Sequence, residues 1–214
     1  MKRPVLFVLA GVNGAGKSSI GGYHLERQKL TWFNPDTFAR ELVVRSGCSQ
    51  DAANERAWQE GLRRLDAAIA TRRSYAFETT LGGKTITARL LGATATHDVE
   101  MWYCGLATPE MHLSRVRIRV AAGGHDIPEP LIRARYLSSQ RNLIELMPHL
   151  TFLRVYDNSF SVAPGSAIPD PVLVMEIDDG ELIVPDSADR DALLRVPTWA
   201  RPLVQAALEL TDVR

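Results

Sequence analysis

Cysteine is scarce in this 214-residue chain: Cys48 and Cys104 are the two present, and neither has a CxxC partner. A disulfide framework is therefore excluded, and both are read as reduced thiols, which points to the cytoplasm. No apolar run approaches the ~20 residues needed to span a bilayer, so no membrane association is expected. Net charge is missing as well. Lys and Arg total 25 against 25 Asp and Glu, a formal charge of zero. That balance, with no stripe of interleaved basic and aromatic residues, argues against a nucleic-acid partner. No internal repeat, low-complexity tract or Cys/His set with metal-ligand spacing occurs.

The balance that is present is the ordinary globular one, 45% hydrophobic and 23% charged. A chain of this length buries roughly 70% of its unfolded surface and supports a full core without staples. The start, MKRPVLFVLAGVNG, places basic residues before an apolar stretch, as a signal peptide does. The stretch is short and runs straight into a glycine pattern, so export is not expected.

Apolar residues 5–10 read as a strand buried on both faces. A glycine-rich turn comes next, then a helix from residues 16–17 to about Arg27. Further strands are expected at 31–34, 75–79, 97–106 and 151–156, and helices at 37–45, 50–71, 85–95, 109–122 and 128–146. Strands alternating with helices predict an α/β fold: a P-loop NTPase-type three-layer sandwich on a five-stranded, mainly parallel sheet. Residues 1–159 form this expected core. In the remaining extension, 160–214, a Ser/Pro/Ala-rich loop precedes a hairpin (172–177 and 181–184 around Asp178-Asp179-Gly180) and an amphipathic helix at 199–210. The VLVMEID segment imitates an apolar strand ending in a Mg²⁺-binding Asp, but its position before that turn reads as half of the hairpin.

Gly11-Val12-Asn13-Gly14-Ala15-Gly16-Lys17-Ser18 matches G-x-x-x-x-G-K-[ST] between an expected strand and an expected helix. The backbone N–H groups of such a loop cradle phosphate, and the helix N-terminus adds partial positive charge. Asn13, Gly14, Ala15, Gly16, Lys17, Ser18 and Ser19 are thus the candidate ATP-binding residues. Lys17 would meet the β- and γ-phosphates, and the Ser18 hydroxyl would be a hard ligand for Mg²⁺ arriving with ATP.

Nucleotide binding alone does not define a reaction, and two segments bear on the chemistry. Asp36, in Asn34-Pro35-Asp36-Thr37-Phe38, either takes the proton of an acceptor hydroxyl or caps the next helix. Glu78, in Phe77-Glu78-Thr79-Thr80, either holds substrate hydroxyls or Mg²⁺-bound water, or emerges into solvent. Arg115 and Arg119 share a helix face, ahead of a Gly123-Gly124 hinge and Arg133 and Arg135. They form either a closing lid that neutralises a transferring phosphoryl group or a solvated basic face.

The pieces GVNGAGKSS, FNPDTFAREL, YAFETTLGG, RVRIRVAAGGHDIPEPLIRARY and LRVYDNS, in this order, resemble the zeta-toxin family of P-loop kinases, in particular its compact bacterial branch. The resemblance implies phosphorylation of UDP-N-acetylglucosamine on its sugar with ATP and Mg²⁺. It implies Asp36 as catalytic base, Glu78 and Thr80 as sugar-holding residues, and Arg115 as the first of two phosphate-stabilising arginines. Asp157 and Asn158 fall where the nucleotide base is expected. Where those toxins carry a second lid arginine this chain reads Gly-Gly-His-Asp, leaving Arg119 or Arg133 to substitute. An antitoxin partner is implied by the same analogy. The leading expectation is therefore a small-molecule kinase acting on a sugar nucleotide or related polyol. The alternatives are an ATP-dependent conformational switch that binds a protein partner and a polynucleotide 5′-kinase.

Overall fold

The computed structural model describes residues 2–17, 20, 21, 32–160 and 169–212. The first strand, β1 (Val5–Ala10), is buried from Leu6 onward. Its side chains alternate between two cores. Leu6, Val8 and Ala10 join Leu65, Leu90, Leu143 and Leu203 in one cluster. Phe7 and Leu9 join Ala15, Ile20, Trp102 and Cys104 in another. A strand covered on both faces needs no polar alternation, which is why this one reads as a continuous apolar run.

Helices α1 (Pro35–Ser46) and α2 (Gln50–Thr71) precede strand β2 (Tyr75–Thr79). Then come α3 (Lys84–Ala93), β3 (Asp98–Gly105), α4 (Pro109–Ala121), α5 (Glu129–Leu146) and β4 (Phe152–Asp157). The chain closes with β5 (Val172–Asp178), β6 (Glu181–Val184), α6 (Arg190–Arg195) and α7 (Arg201–Asp212). Local chemistry sets several of these boundaries. Thr108 caps α4 by accepting from the Met111 N–H, and Gly47 ends α1 in the left-handed conformation.

One sheet runs in the order β2-β1-β3-β4-β5-β6. The pairs β1–β2, β1–β3 and β3–β4 are parallel, so the C-terminal ends of four strands share one edge. Helix-bearing crossovers make this arrangement possible. The result is the α/β P-loop NTPase-type fold expected, with six strands rather than five.

Two elements depart from expectation. Among the described residues of the strand expected at 31–34, Phe33 alone makes a bridge, parallel to Phe77. Its N–H donates to the Ala76 carbonyl, and its own carbonyl accepts from the Glu78 N–H. Pro35 then opens α1 with Asn34 as its cap, so the chain leaves the sheet at once. The 172–184 hairpin, for its part, is continuous with the main sheet. β5 pairs antiparallel with β4, and β6 with β5. β4 would otherwise expose a row of unpaired backbone groups on its outer edge, and β5 satisfies them.

Behind the glycine loop, Lys17, Ile20 and Gly21 are helical, and the Ile20 N–H donates to the Gly16 carbonyl. The rest of the helix expected to Arg27, together with Ser18 and Ser19, lies outside the described residues.

Candidate functional site: a phosphate loop facing a two-carboxylate cavity

The loop 11–17 leaves the C-terminal end of β1, and the Gly11 N–H donates to the Thr79 carbonyl at the end of β2. Two glycines are required by shape. Gly11 has φ 139°, and a Cβ there would overlap the Cys104 carbonyl oxygen; Gly16 has φ 91°, and a Cβ there would overlap Asn158 Nδ2. The loop is braced from beneath. Cys104 Sγ donates to the Ala15 carbonyl at 2.9 Å, and Asn158 Nδ2 donates to the same oxygen at 2.8 Å. His112 Nδ1 lies 2.9 Å from the Asn13 carbonyl and must be the donor, because a carbonyl only accepts. Burial pushes the Cys104 thiol up to about 12, so it braces and does not act as a nucleophile. Burial also draws His112 down to about 4, keeping it neutral beneath the loop.

Lys17 is 7% exposed, with Nζ 3.5 Å from the Val12 carbonyl and 3.4 Å from Glu78 Oε1. Glu78 is 8% exposed and also accepts from Asn34 Nδ2 at 2.9 Å. This carboxylate does not simply emerge into solvent. Parallel pairing of β1 and β2, with Leu9 opposite Glu78, brings it to the phosphate loop.

Asn34 performs a second task that frees Asp36. Its Oδ1 accepts from the backbone N–H groups of Asp36 and Thr37 at 2.9 and 3.1 Å. Asn34 is thus the cap of α1, and the Asp36 carboxylate points elsewhere. Asp36 Oδ2 lies 3.6 Å from Arg119 and Oδ1 3.8 Å from His125 Nε2. Desolvation lowers the His125 pKa, against the pull of Asp36.

The two helix-α4 arginines diverge. Arg115 donates to the Asn158 and Phe160 carbonyls at 2.6 and 3.0 Å, beside the phosphate loop. Arg119 turns to Asp36 and to the His125 carbonyl at 3.2 Å, and its buried Nε has no hydrogen-bond partner among the described residues. An orphaned guanidinium N–H held beside Asp36 is chemically suited to an anionic oxygen.

Arg133 is directed away from this group. It binds Glu110 and Glu129 at 2.7 and 2.8 Å on the surface. Arg135, one of the basic residues noted in the sequence but not singled out there, faces the site. Its Nη1 donates to Asn13 Oδ1 at 2.8 Å, and its stem lies over Gly82, where a Cβ would clash with it. Desolvation lowers its pKa, opposed by Asp36. Both arginines lie on α5, and only the helix phase, which their spacing alone did not resolve, separates them. Asp157 is occupied structurally: its Oδ1 accepts from the Ser159 backbone and hydroxyl and from Trp199 Nε1. Asn158 is spent on the loop and on Arg115.

Asn13, Lys17, Asp36, Glu78, Thr80, His125 and Arg135 all line one cavity of about 520 Å³. Trp58 lines it too, and no sequence signal had marked that residue. Among the described residues no cluster of three or more His, Cys, Asp or Glu side chains could hold a metal. No helix among them is long and apolar enough to cross a membrane.

The fold and this loop define a protein of the P-loop NTPase type. Residues 6–141 match the AAA domain family, and the chain belongs to it. An uncharacterized protein of Haemophilus influenzae is 27% identical over 127 residues, which cover 59% of this chain and 88% of that protein. Two solved structures resemble this one in fold. One is the AvrRxo1-ORF1:-ORF2 complex with ATP (TM-score 0.63, 16% identity, 98% of this chain and 76% of that one). The other comes from the PezAT chromosomal toxin-antitoxin system of Streptococcus pneumoniae (TM-score 0.58, 13% identity, 99% and 87%).

Proposed function

We propose that the protein is an ATP-dependent small-molecule kinase that transfers the γ-phosphoryl group to a hydroxyl of a sugar-like acceptor, UDP-N-acetylglucosamine being the one the zeta-toxin resemblance names. The observation carrying this reading is the shared cavity. Lys17 and Asp36 line it together, and Asp36 is spared from capping because Asn34 caps α1. ATP bound in a fold-level relative supports the nucleotide.

On this reading Lys17 and the loop amides hold the phosphates. Asp36 accepts the hydroxyl proton as the acceptor oxygen bonds to the γ-phosphorus and the bond to the β–γ bridging oxygen breaks, releasing ADP. Arg119 is displaced from Asp36 toward the transferring group, and Arg115 and Arg135 flank the loop. Glu78 and Thr80 hold acceptor hydroxyls. The motif assigns Mg²⁺ to the Ser18 hydroxyl, where the ion would supply charge neutralisation on the phosphates. An antitoxin acting on this site would cover the same crevice.

The test is transfer from γ-labelled ATP to a panel of UDP-sugars, free sugars, nucleosides and short oligonucleotides, with Lys17→Ala as the blank. A labelled acceptor absent from the blank is the expected result. ATP binding without transfer to any of them counts against a kinase and for a nucleotide-gated switch.

A further inference from the structure

His125 lines the same cavity as Lys17 and Asp36, and its side chain is 7% exposed. The backbone holds this ring from both sides. On the α4 side, the Gly123 N–H donates to the Val120 carbonyl and the Gly124 N–H to the Arg119 carbonyl, both at 2.9 Å. Gly123 takes φ 86°, and a Cβ on Gly124 would lie 2.7 Å from the Arg119 stem. On the α5 side, Ile127 packs against Val12, Leu113, Val116 and Ile132, and Val12 belongs to the phosphate loop. Pro128 then caps α5.

The charged groups acting on the ring are Asp36 and Arg40 from α1, Arg119 from α4, and Asp126 beside it in the chain. Desolvation keeps its pKa below the ordinary 6.5, so near neutral pH the ring is an uncharged imidazole with a single N–H. Nε2 lies 3.8 Å from Asp36 Oδ1, and Arg119 Nη1 lies 3.6 Å from the other oxygen, Oδ2. A carboxylate only accepts, so a hydrogen bond on the first axis requires the proton on Nε2. The separation is about 1 Å longer than such a bond, and hydrogen bonds of this kind commonly tighten in the reacting complex.

The two partners of the carboxylate differ in reach. Arg119 has a long side chain, whereas His125 has a short one on a backbone anchored at both ends. Arg119 Nη2 also donates to the His125 carbonyl at 3.2 Å, which joins arginine, ring and carboxylate in one unit.

We propose that His125 is a positioning residue for Asp36: its Nε2–H holds Oδ1 and leaves Oδ2, once Arg119 turns to the transferring phosphoryl group, free to take the acceptor proton. The transfer step rests on the kinase reading, but the pairing of ring and carboxylate stands on the geometry alone. A neutral donor orients a base without the loss of basicity that a fixed cation beside it brings.

The experiment has two readouts. Nitrogen–proton correlation spectra of the histidine rings are recorded for the whole chain with Mg²⁺ and a non-hydrolysable ATP analogue, as wild type and as Asp36→Ala, with His125→Gln assigning the signal. The expected result is a ring protonated at Nε2, its N–H protected from solvent exchange, and loss of that protection in Asp36→Ala. Transfer from γ-labelled ATP to the panel of UDP-sugars and free sugars is then measured for His125→Leu and His125→Gln, each with and without Asp36→Ala. His125→Leu should lower kcat about tenfold to hundredfold, the size of one hydrogen bond to a charged group, with KM for ATP changed by less than about twofold. His125→Gln, which carries an amide N–H at similar reach, should recover most of the loss, and His125→Leu should add nothing to Asp36→Ala.

A ring protonated at Nδ1, or an Nε2–H indifferent to Asp36→Ala, overturns the inference. An unchanged kcat in His125→Leu overturns it as well. So does a loss that Gln does not recover or that persists in full beside Asp36→Ala, the mark of a purely structural role. Wild-type protein that transfers to no acceptor retires the kinase reading, while an Asp36-dependent Nε2–H signal still supports the pairing of ring and carboxylate.

Discussion

Asp36 owes its availability to a residue two positions before it. Asn34 caps α1 with Oδ1 and holds Glu78 with Nδ2, so one amide settles the geometry of two carboxylates. Asp36→Asn removes the proton acceptor and leaves the phosphate loop untouched. Transfer should fall by about 10²–10⁴-fold with ATP affinity unchanged, read by single-turnover transfer and by nucleotide titration. Wild-type transfer would remove Asp36 from the mechanism. The arginines separate at the same scale. Arg133→Met breaks exposed ion pairs and should change stability by less than about 1 kcal/mol, with little effect on transfer. Arg135→Met removes a guanidinium from the cavity and from Asn13, and should lower transfer by about 10²-fold. Parallel kinetics of the two variants check the assignment; equal losses would contradict it.

At the level of elements, α4 joins the phosphate loop to Asp36. Its first half presents His112 to the underside of the phosphate loop, and its second half reaches over to Asp36 through Arg119. His112 gives the brace a pH signature. Its folded pKa of about 4 lies below the ordinary 6.5, so the unfolded chain binds its proton more tightly. Stability from this group is therefore fully present above pH 6.5 and declines as pH falls toward 4, by up to about 3 kcal/mol. Desolvated His125 adds to the same trend. His112→Asn keeps a donor for the Asn13 carbonyl and removes the titration. Its thermal midpoint should vary less between pH 6.5 and 4 than the wild type's, and an unchanged slope would assign the loss to other groups.

Across the whole molecule, the C-terminal segment is tied to the nucleotide end of the sheet. Trp199 lies against Gly105, where a Cβ would overlap its ring, and its Nε1 donates to Asp157 at 3.1 Å. Trp199, Leu203, Val204 and Ala207 all enter the larger core. Trp199→Ala should cost about 3–5 kcal/mol, and so lower the thermal midpoint by roughly 10 °C. Because Asp157 also orders Ser159, next to the loop-bracing Asn158, ATP affinity should weaken with it. Trp199→Phe keeps most of the packing and should lie between the two in a calorimetric scan. An Ala variant as stable as the wild type would show that the segment only rests on the core.

What the sequence by itself determined is local. A buried apolar run leading into G-x-x-x-x-G-K-S specifies strand, phosphate loop and helix start, because glycine freedom and helix-end charge act within a few residues. Alternating patterns likewise yield the parallel α/β core. Tertiary structure decided whatever depends on partners distant in the chain. Phe33 became a lone bridge because Pro35 turns the chain away. The hairpin became part of the sheet because β4 offered an open edge. Arg135 rather than Arg133 entered the cavity because helix phase is set by what α5 packs against, and Cys104 and His112 became loop braces because β3 and α4 pass beneath it. Trp58 had no local mark at all. Only the meeting of α2 and α5 around one cavity placed it on a wall, and long-range arrangements of that kind leave no periodic trace in the residues that make them.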